Sequence, residues 1–140
     1  MRLTKFTDNA LRMLIYAAAH SDRLTNISEI SEKCRISRNH LTKVVHKMST
    51  QGMLVTTRGK GGGIRLARPA SEITVASVVR LMEDELKIIE CLVPRCPLAA
   101  MCKLKDVLDE GRSAFLKTLE NYTIADLIDN QGPLKSAGWV

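Results

Sequence analysis

Residues 54–66, LVTTRGKGGGIRL, narrow the folds open to this chain more than any other stretch. Two short β-prone runs flank a turn in which four of five residues are glycine, and Arg58, Lys60 and Arg65 surround its tip. Glycine reaches the positive φ values that a tight hairpin needs. A phosphate-cradling loop of the nucleotide-binding kind is the rival. It would require a GxxxxGK[ST] pattern leading straight into a helix, and neither is present.

The residues ahead of this hairpin read as helices. Leu11, Leu14, Ile15 and Ala18 fall at helical spacing, so a first helix is expected from Thr7 or Asp8, either of which can cap it, to about His20. Ser28 is expected to cap a second helix that turns Ile30 and Cys34 inward. Ser37 is expected to cap a third, whose Leu41, Val44, Val45 and Met48 form an apolar stripe. Two short helices joined through Arg35 and Ile36 have the proportions of a helix-turn-helix, and the hairpin that follows is its wing. The polar face of the third helix carries Arg38, Asn39, His40, Lys43 and Lys47. Ser37, Arg38, Asn39 and His40 stand where a recognition helix meets base edges. Arg pairs bidentately with guanine and Asn with adenine, whereas a merely solvated face would bear the same residue types.

Charge follows the same division. Residues 1–70 hold thirteen Lys or Arg against four Asp or Glu, and residues 71–140 hold eight against eleven. A basic front half is the footprint of a polyanion-binding module. The candidate DNA contacts are Ser37, Arg38, Asn39, His40, Lys43, Arg58, Lys60 and Arg65, on a recognition helix of about 37–49 and a wing of about 54–66. Residues 1–73 form the expected DNA-binding domain.

Thr74 or Ser77 is expected to start a fourth helix with Val75, Val78, Val79 and Met82 inward. A longer helix is expected over 103–120, with Leu104, Val107, Leu108, Phe115, Leu116 and Leu119 at helical spacing. A long amphipathic helix outside a compact domain needs a partner for its stripe, and helix-turn-helix proteins bind duplex DNA as symmetric dimers. Leu104, Val107, Leu108, Phe115 and Leu119 are the expected dimer contacts, packing within one chain being the alternative. Thr123 is expected to cap a short turn, and residues 129–140, with Gly, Pro and no periodicity, to fray as a flexible tail. The fold class is thus mainly α: a winged helix-turn-helix, a long dimerisation helix and a cysteine-bearing loop. No segment is long enough to span a membrane, and the apolar run Met13 to Ala19 is short for a signal sequence, so a cytoplasmic protein is expected.

Between the fourth and fifth helices, CLVPRCPLAAMC places Cys91, Cys96 and Cys102 within twelve residues. Reduced, clustered thiols favour metal or redox chemistry. The spacing is loose for a structural zinc site and no histidine lies within the segment, while iron–sulfur clusters accept wider thiolate spacing. Zinc and a metal-free thiol switch stay open on spacing alone. Cys34 reads as a small buried hydrophobe.

LTKFTDNALRMLIY, ISRNHLTKVV, RGKGGGIRLARPA, the three-cysteine segment with CKLKDVL, and LENYTIADL together resemble the iron–sulfur winged-helix regulators, the NsrR and IscR family, over residues 1–128. RGKGGGIRL and NYTIADL resemble its nitric-oxide-sensing branch in particular. The resemblance implies a homodimer with one cluster per subunit, held by Cys91, Cys96 and Cys102. Some members complete a [2Fe–2S] cluster with a histidine just after the last cysteine, where this chain has Lys103, Leu104 and Lys105. Others complete a [4Fe–4S] cluster with an N-terminal aspartate of the partner subunit, and Asp8 occupies that position. A helix-cap role is the local alternative for Asp8. The family's nitric-oxide sensors are repressors that leave a palindromic operator when the cluster is nitrosylated. Sensing of cluster status or redox, or a zinc-stabilised DNA-binding regulator, are the alternative functions. An electron carrier would have no need of the wing, and a redox enzyme would need a nucleotide fingerprint or a histidine pattern that is missing.

Overall fold

The computed structural model describes residues 2–84, 86–89, 96–98 and 101–140. Its elements run α1 (Lys5–Ala19), α2 (Ile27–Cys34), α3 (Arg38–Thr50), β1 (Leu54–Thr57), β2 (Gly63–Leu66), a 3-10 turn (Ala70–Glu72), α4 (Val75–Met82), α5 (Lys103–Glu120), α6 (Ile124–Asp129) and α7 (Gln131–Ser136). The fold is mainly helical with one two-stranded antiparallel sheet, as the pattern of the sequence predicts.

Helix α1 is the centre of the core. Its Ala10, Met13, Leu14 and Tyr16 are buried with Ile30 and Cys34 of α2, Leu41, Val44, Val45 and Met48 of α3, and Val78 and Met82 of α4. The Leu, Ile, Val and Met side chains among them, each contributing roughly 1.5–3 kcal/mol on full burial, fix how α2 and α3 sit on α1. Two helix starts differ from expectation. Thr4, not Thr7 or Asp8, caps α1 by accepting a hydrogen bond from the Thr7 amide. Asn26, not Ser28, caps α2, its Oδ1 accepting from the Glu29 amide at 2.9 Å. In each case several cap-competent residues lie within a few positions, and the earlier one prevails, adding about a turn to α1 and about half a turn to α2. Ser37 caps α3 as expected, accepting from the His40 amide.

The hairpin pairs Leu54 with Leu66, Val55 with Arg65, Thr56 with Ile64 and Thr57 with Gly63. Gly59 and Gly61, at φ of +93° and +80°, make the turn. Gly63 serves another purpose: a Cβ there would lie 2.5 Å from the Thr25 carbonyl oxygen. That approach lets Thr25 pair with Ile64 in both directions and ties the wing's base to the stretch between α1 and α2.

Thr74 caps α4, and Val75, Val78, Val79 and Met82 are buried. Helix α5 has the expected limits but buries only Leu116, which packs with Val75 and Val79. Thr123 and Asp126 form a capping box that starts α6. The last residues, expected to fray, instead form α7 and a clasp. Leu134 is buried, Trp139 packs on the core with its ring 6.0 Å from that of Tyr16, and Lys33 Nζ donates to the Gly138 carbonyl at 3.2 Å. Pro133 falls in the first turn of α7, where its missing N–H is harmless.

Candidate nucleic-acid interface and cysteine segment

Burial of Leu41, Val44, Val45 and Met48 turns the opposite face of α3 to solvent. Ser37, Arg38, Asn39, His40, Thr42, Lys43 and His46 are exposed there. The side chains of Arg38, Asn39, His40 and Lys43 have no hydrogen-bond or ion-pair partner among the described residues. Arg58, Lys60 and Arg65 on the wing are likewise exposed and unpaired. The one departure is Lys47, read from the sequence as part of the open face. It is half-buried, bonded to Asp84 at 2.9 Å, and its Nζ lies 5.8 Å from the centre of the Phe6 ring.

Cations that serve structure are thus set apart from cations that do not. Arg12 pairs with Asp8, Arg80 with Glu120, and Arg23 chelates Glu29. Glu29 also accepts from the Tyr16 hydroxyl at 2.6 Å. The Arg23 hydrogen bonds hold its carboxyl down at about 2, while burial and the Glu29 contact push the Tyr16 phenol up to about 12. This network locks the start of α2 to α1, so the helix-turn-helix is braced away from its open basic face.

Two adjacent carboxylates brace the other side. Glu83 Oε1 accepts from the Thr4 amide at 2.7 Å, the Thr4 hydroxyl at 3.0 Å and the Thr7 hydroxyl at 2.5 Å. Burial pushes the Glu83 carboxyl up, but the hydrogen bonds from Thr7 and Thr4 outweigh it and hold the group below its ordinary value. Asp84, the next residue, holds Lys47 of α3. The chain that leaves α4 towards the cysteines therefore grips the N-terminus of α1 with one side chain and α3 with the other. No sequence signal marks this, because Thr4 and Glu83 are 79 residues apart.

Of the cysteines, Cys91 lies outside the described residues. Cys34 is buried, and burial pushes its thiol up to about 11, so it stays protonated in the core. Cys96 and Cys102 are free and partly exposed. Cys102 is the N-cap residue of α5, yet its side chain caps no amide and is available to bind elsewhere. Its place at the positive end of an 18-residue helix favours an anionic ligand set. Two of the three clustered thiols are thus open to a thiophilic ligand such as an iron–sulfur group, and the remaining described thiol is sealed away. Asp8 sits in the first turn of α1, half-exposed, with its oxygens 3.1 and 3.2 Å from the Arg12 guanidinium. It is not the helix cap. Among the described residues of one chain, no three His, Cys, Asp or Glu side chains gather as a metal site.

The expected dimer contacts divide along α5. Leu104 and Val107 are exposed at 60% and 61%, whereas Leu108, Phe115 and Leu119 are half-buried. No helix is long and apolar enough to cross a membrane among the described residues.

Comparison with known proteins agrees with this architecture. The chain resembles CymR of Staphylococcus aureus in its oxidised form, with 24% identity and a TM-score of 0.74 over 92% of this chain and 97% of that one. It resembles IscR of T. potens with 19% identity and a TM-score of 0.76 over 96% and 91%. It also resembles CymR, the global cysteine regulator of B. subtilis, with 22% identity and a TM-score of 0.67 over 91% and 95%. At these identities the likeness concerns the fold. The family profile of the Rrf2 proteins, described as iron-dependent transcriptional regulators, matches residues 3–130. With nearly the whole chain inside that match, the protein belongs to the Rrf2 family and is a transcriptional regulator, not an enzyme.

Proposed function

We propose that the chain is a homodimeric iron–sulfur repressor of the NsrR type, which holds palindromic operator DNA and gives it up in response to nitric oxide. The observation that carries this reading is the sorting of thiols: Cys96 and Cys102, ahead of α5 in the sequence, are open and uncommitted, while Cys34 is sealed in the core. Cys91, Cys96 and Cys102 would hold the cluster, with Asp8 of the partner subunit as fourth ligand. A [4Fe–4S] cluster is favoured over [2Fe–2S], because Lys103, Leu104 and Lys105 offer no histidine. Such a group supplies iron atoms to which nitric oxide binds, at a site where one ligand is a carboxylate and hence a weaker partner than a thiolate.

The chain's own residues supply the coupling. Asp8 lies one position after Thr7, which donates to Glu83, and Asp84 reaches Lys47 on α3. A change in how Asp8 is held is thereby felt at the start of α1 and along the helix that faces DNA. Arg12 gives Asp8 an alternative partner within its own subunit. Ser37, Arg38, Asn39, His40 and Lys43 would meet the groove and Arg58, Lys60 and Arg65 the backbone, and the Leu104–Val107 end of α5 would find its cover in the second subunit.

Anaerobic purification followed by iron, sulfide and zinc analysis and an absorption spectrum tests the cofactor. Gel shifts with and without nitric oxide test the switch. Asp8→Ala is expected to leave a cluster on three cysteines but to weaken the response of DNA binding to nitric oxide. An unchanged spectrum, affinity and response would remove Asp8 from the mechanism. A metal-free thiol regulator is the second reading, favoured by the likeness to a CymR solved in an oxidised form. Colourless protein whose DNA binding follows thiol oxidation would establish it, and stoichiometric zinc would point instead to a structural site.

A further inference from the structure

Arg35 closes α2 with φ 54° and ψ 47°, and among the described residues it is the one non-glycine residue at positive φ. The surroundings dictate that backbone. Its N–H bonds to the Glu32 and Ser31 carbonyls, the Ile36 amide bonds to the Ser31 carbonyl, and the Ser31 hydroxyl donates to the Ile36 carbonyl at 2.7 Å. Ile36 is buried, so the turn cannot swing away. Nothing in this geometry asks for arginine. A side chain in the left-handed region is strained, and the turn of a helix-turn-helix often contains glycine for that reason.

The guanidinium does nothing for the chain itself. Arg35 is exposed, with no side-chain hydrogen bond or ion pair among the described residues. The last turn of α2 already carries a cation, Lys33, and that one is engaged by the Gly138 carbonyl. Position supplies the missing role. Arg35 stands two residues before the α3 cap Ser37 and three before Arg38. When the second helix of such a pair enters the major groove N-terminus first, the first helix crosses the backbone, so the turn between them meets the groove's rim.

We propose that Arg35 is a phosphate-binding residue that fixes the register of α3 on the duplex, its charge retained at the expense of backbone strain. Phosphate contacts of this kind position a protein on DNA without reading sequence. The inference rests on the DNA-binding role proposed above and deepens it.

The test uses full-length protein purified anaerobically, a duplex enriched from a random pool by the wild type, and a scrambled duplex of equal length. Arg35→Gly is expected to weaken both complexes by a similar factor, about five- to tenfold, and to lower the slope of log affinity against log salt by about one. Its melting temperature should equal or exceed that of the wild type. Arg35→Lys should keep the slope while remaining no more stable than the wild type. Wild-type affinity and slope in Arg35→Gly would overturn the proposal, as would lost discrimination with an intact slope, which would make Arg35 a base reader. A lowered melting temperature in Arg35→Gly would overturn the strain argument. If the wild type itself shows no salt-dependent preference for the enriched duplex, the DNA-binding reading of α3 fails, and this inference with it.

Discussion

Helices α3 and α5 carry apolar stripes of the same helical period, yet α3 buries Leu41, Val44, Val45 and Met48 while α5 buries Leu116. The difference lies in what surrounds them. Helix α3 is enclosed by α1, α2 and the wing within a core that also seals Cys34. Helix α5 touches α4 near its C-terminal end and leaves Leu104 and Val107 in solvent at its other end. One stripe is completed by the chain itself, and the other stays open at one end of its helix. Equal periodicity says that a helix has a face to hide and is silent about where the cover comes from.

This contrast can be broken most forcefully at Leu41, fully buried in the core. Leu41→Ala is expected to lower the stability to unfolding by about 2–5 kcal/mol, read by thermal or denaturant melts. A loss below about 1 kcal/mol would mean that α3 is not held as tightly as its burial implies.

A smaller effect is expected at Glu29, which braces the same unit. Its carboxyl is held at about 2 against an ordinary 4.5, so the stability it contributes is fully present above about 4.5 and is lost as pH falls through about 2. Glu29→Gln should flatten that part of the acid-denaturation curve. At neutral pH it should cost about 1 kcal/mol, solvent screening of the partly open Arg23 having been allowed for. An acid limb unchanged from the wild type would show that the Arg23–Glu29–Tyr16 network carries no weight.

On the wing, Lys60→Ala should weaken binding to all duplexes alike and reduce the salt slope by about one, with no change in folding. The smallest effect on one chain's own fold is expected at Val107, 61% exposed. Val107→Glu should leave helical content intact and shift unfolding of the isolated chain by no more than about 0.5 kcal/mol. Sedimentation should nevertheless show the subunits apart. An assembly as large as the wild type's would return the α5 stripe to its own chain.

Where local signals are unambiguous, sequence and structure coincide. The Ser37 cap, the stripe of α3, the glycine turn, the Thr123 cap and the limits of α5 all depend on residues within a turn or two of each other. Where candidates compete, local reasoning chooses badly: Thr4 prevails over Thr7 and Asp8 with the help of Glu83, far along the chain. Lys47 looked like part of an open basic face, and only the fold brings Asp84 to it. The C-terminal Gly and Pro read as breakers because their role in α7 depends on Leu134 and Trp139 reaching a distant surface. For the cysteine segment, the sequence suggests more than one subunit displays. Cys91 lies outside the described residues, and the Asp8 ligand that the resemblance implies belongs to a second copy.

Trp139 is the chain's single tryptophan, and the clasp sets it beside Tyr16, whose ring stacks on His20 at 4.4 Å. The C-terminal half of the clasp, Leu134, Gly138 and Trp139, lies past the end of the family match at 130. Its consequence is optical. All indole emission comes from one site against α1, where release of the C-terminus would expose the ring to water and move the emission to the red. Opening of the clasp can therefore be followed in real time in the unlabelled protein, apart from any absorption change at the cysteine loop.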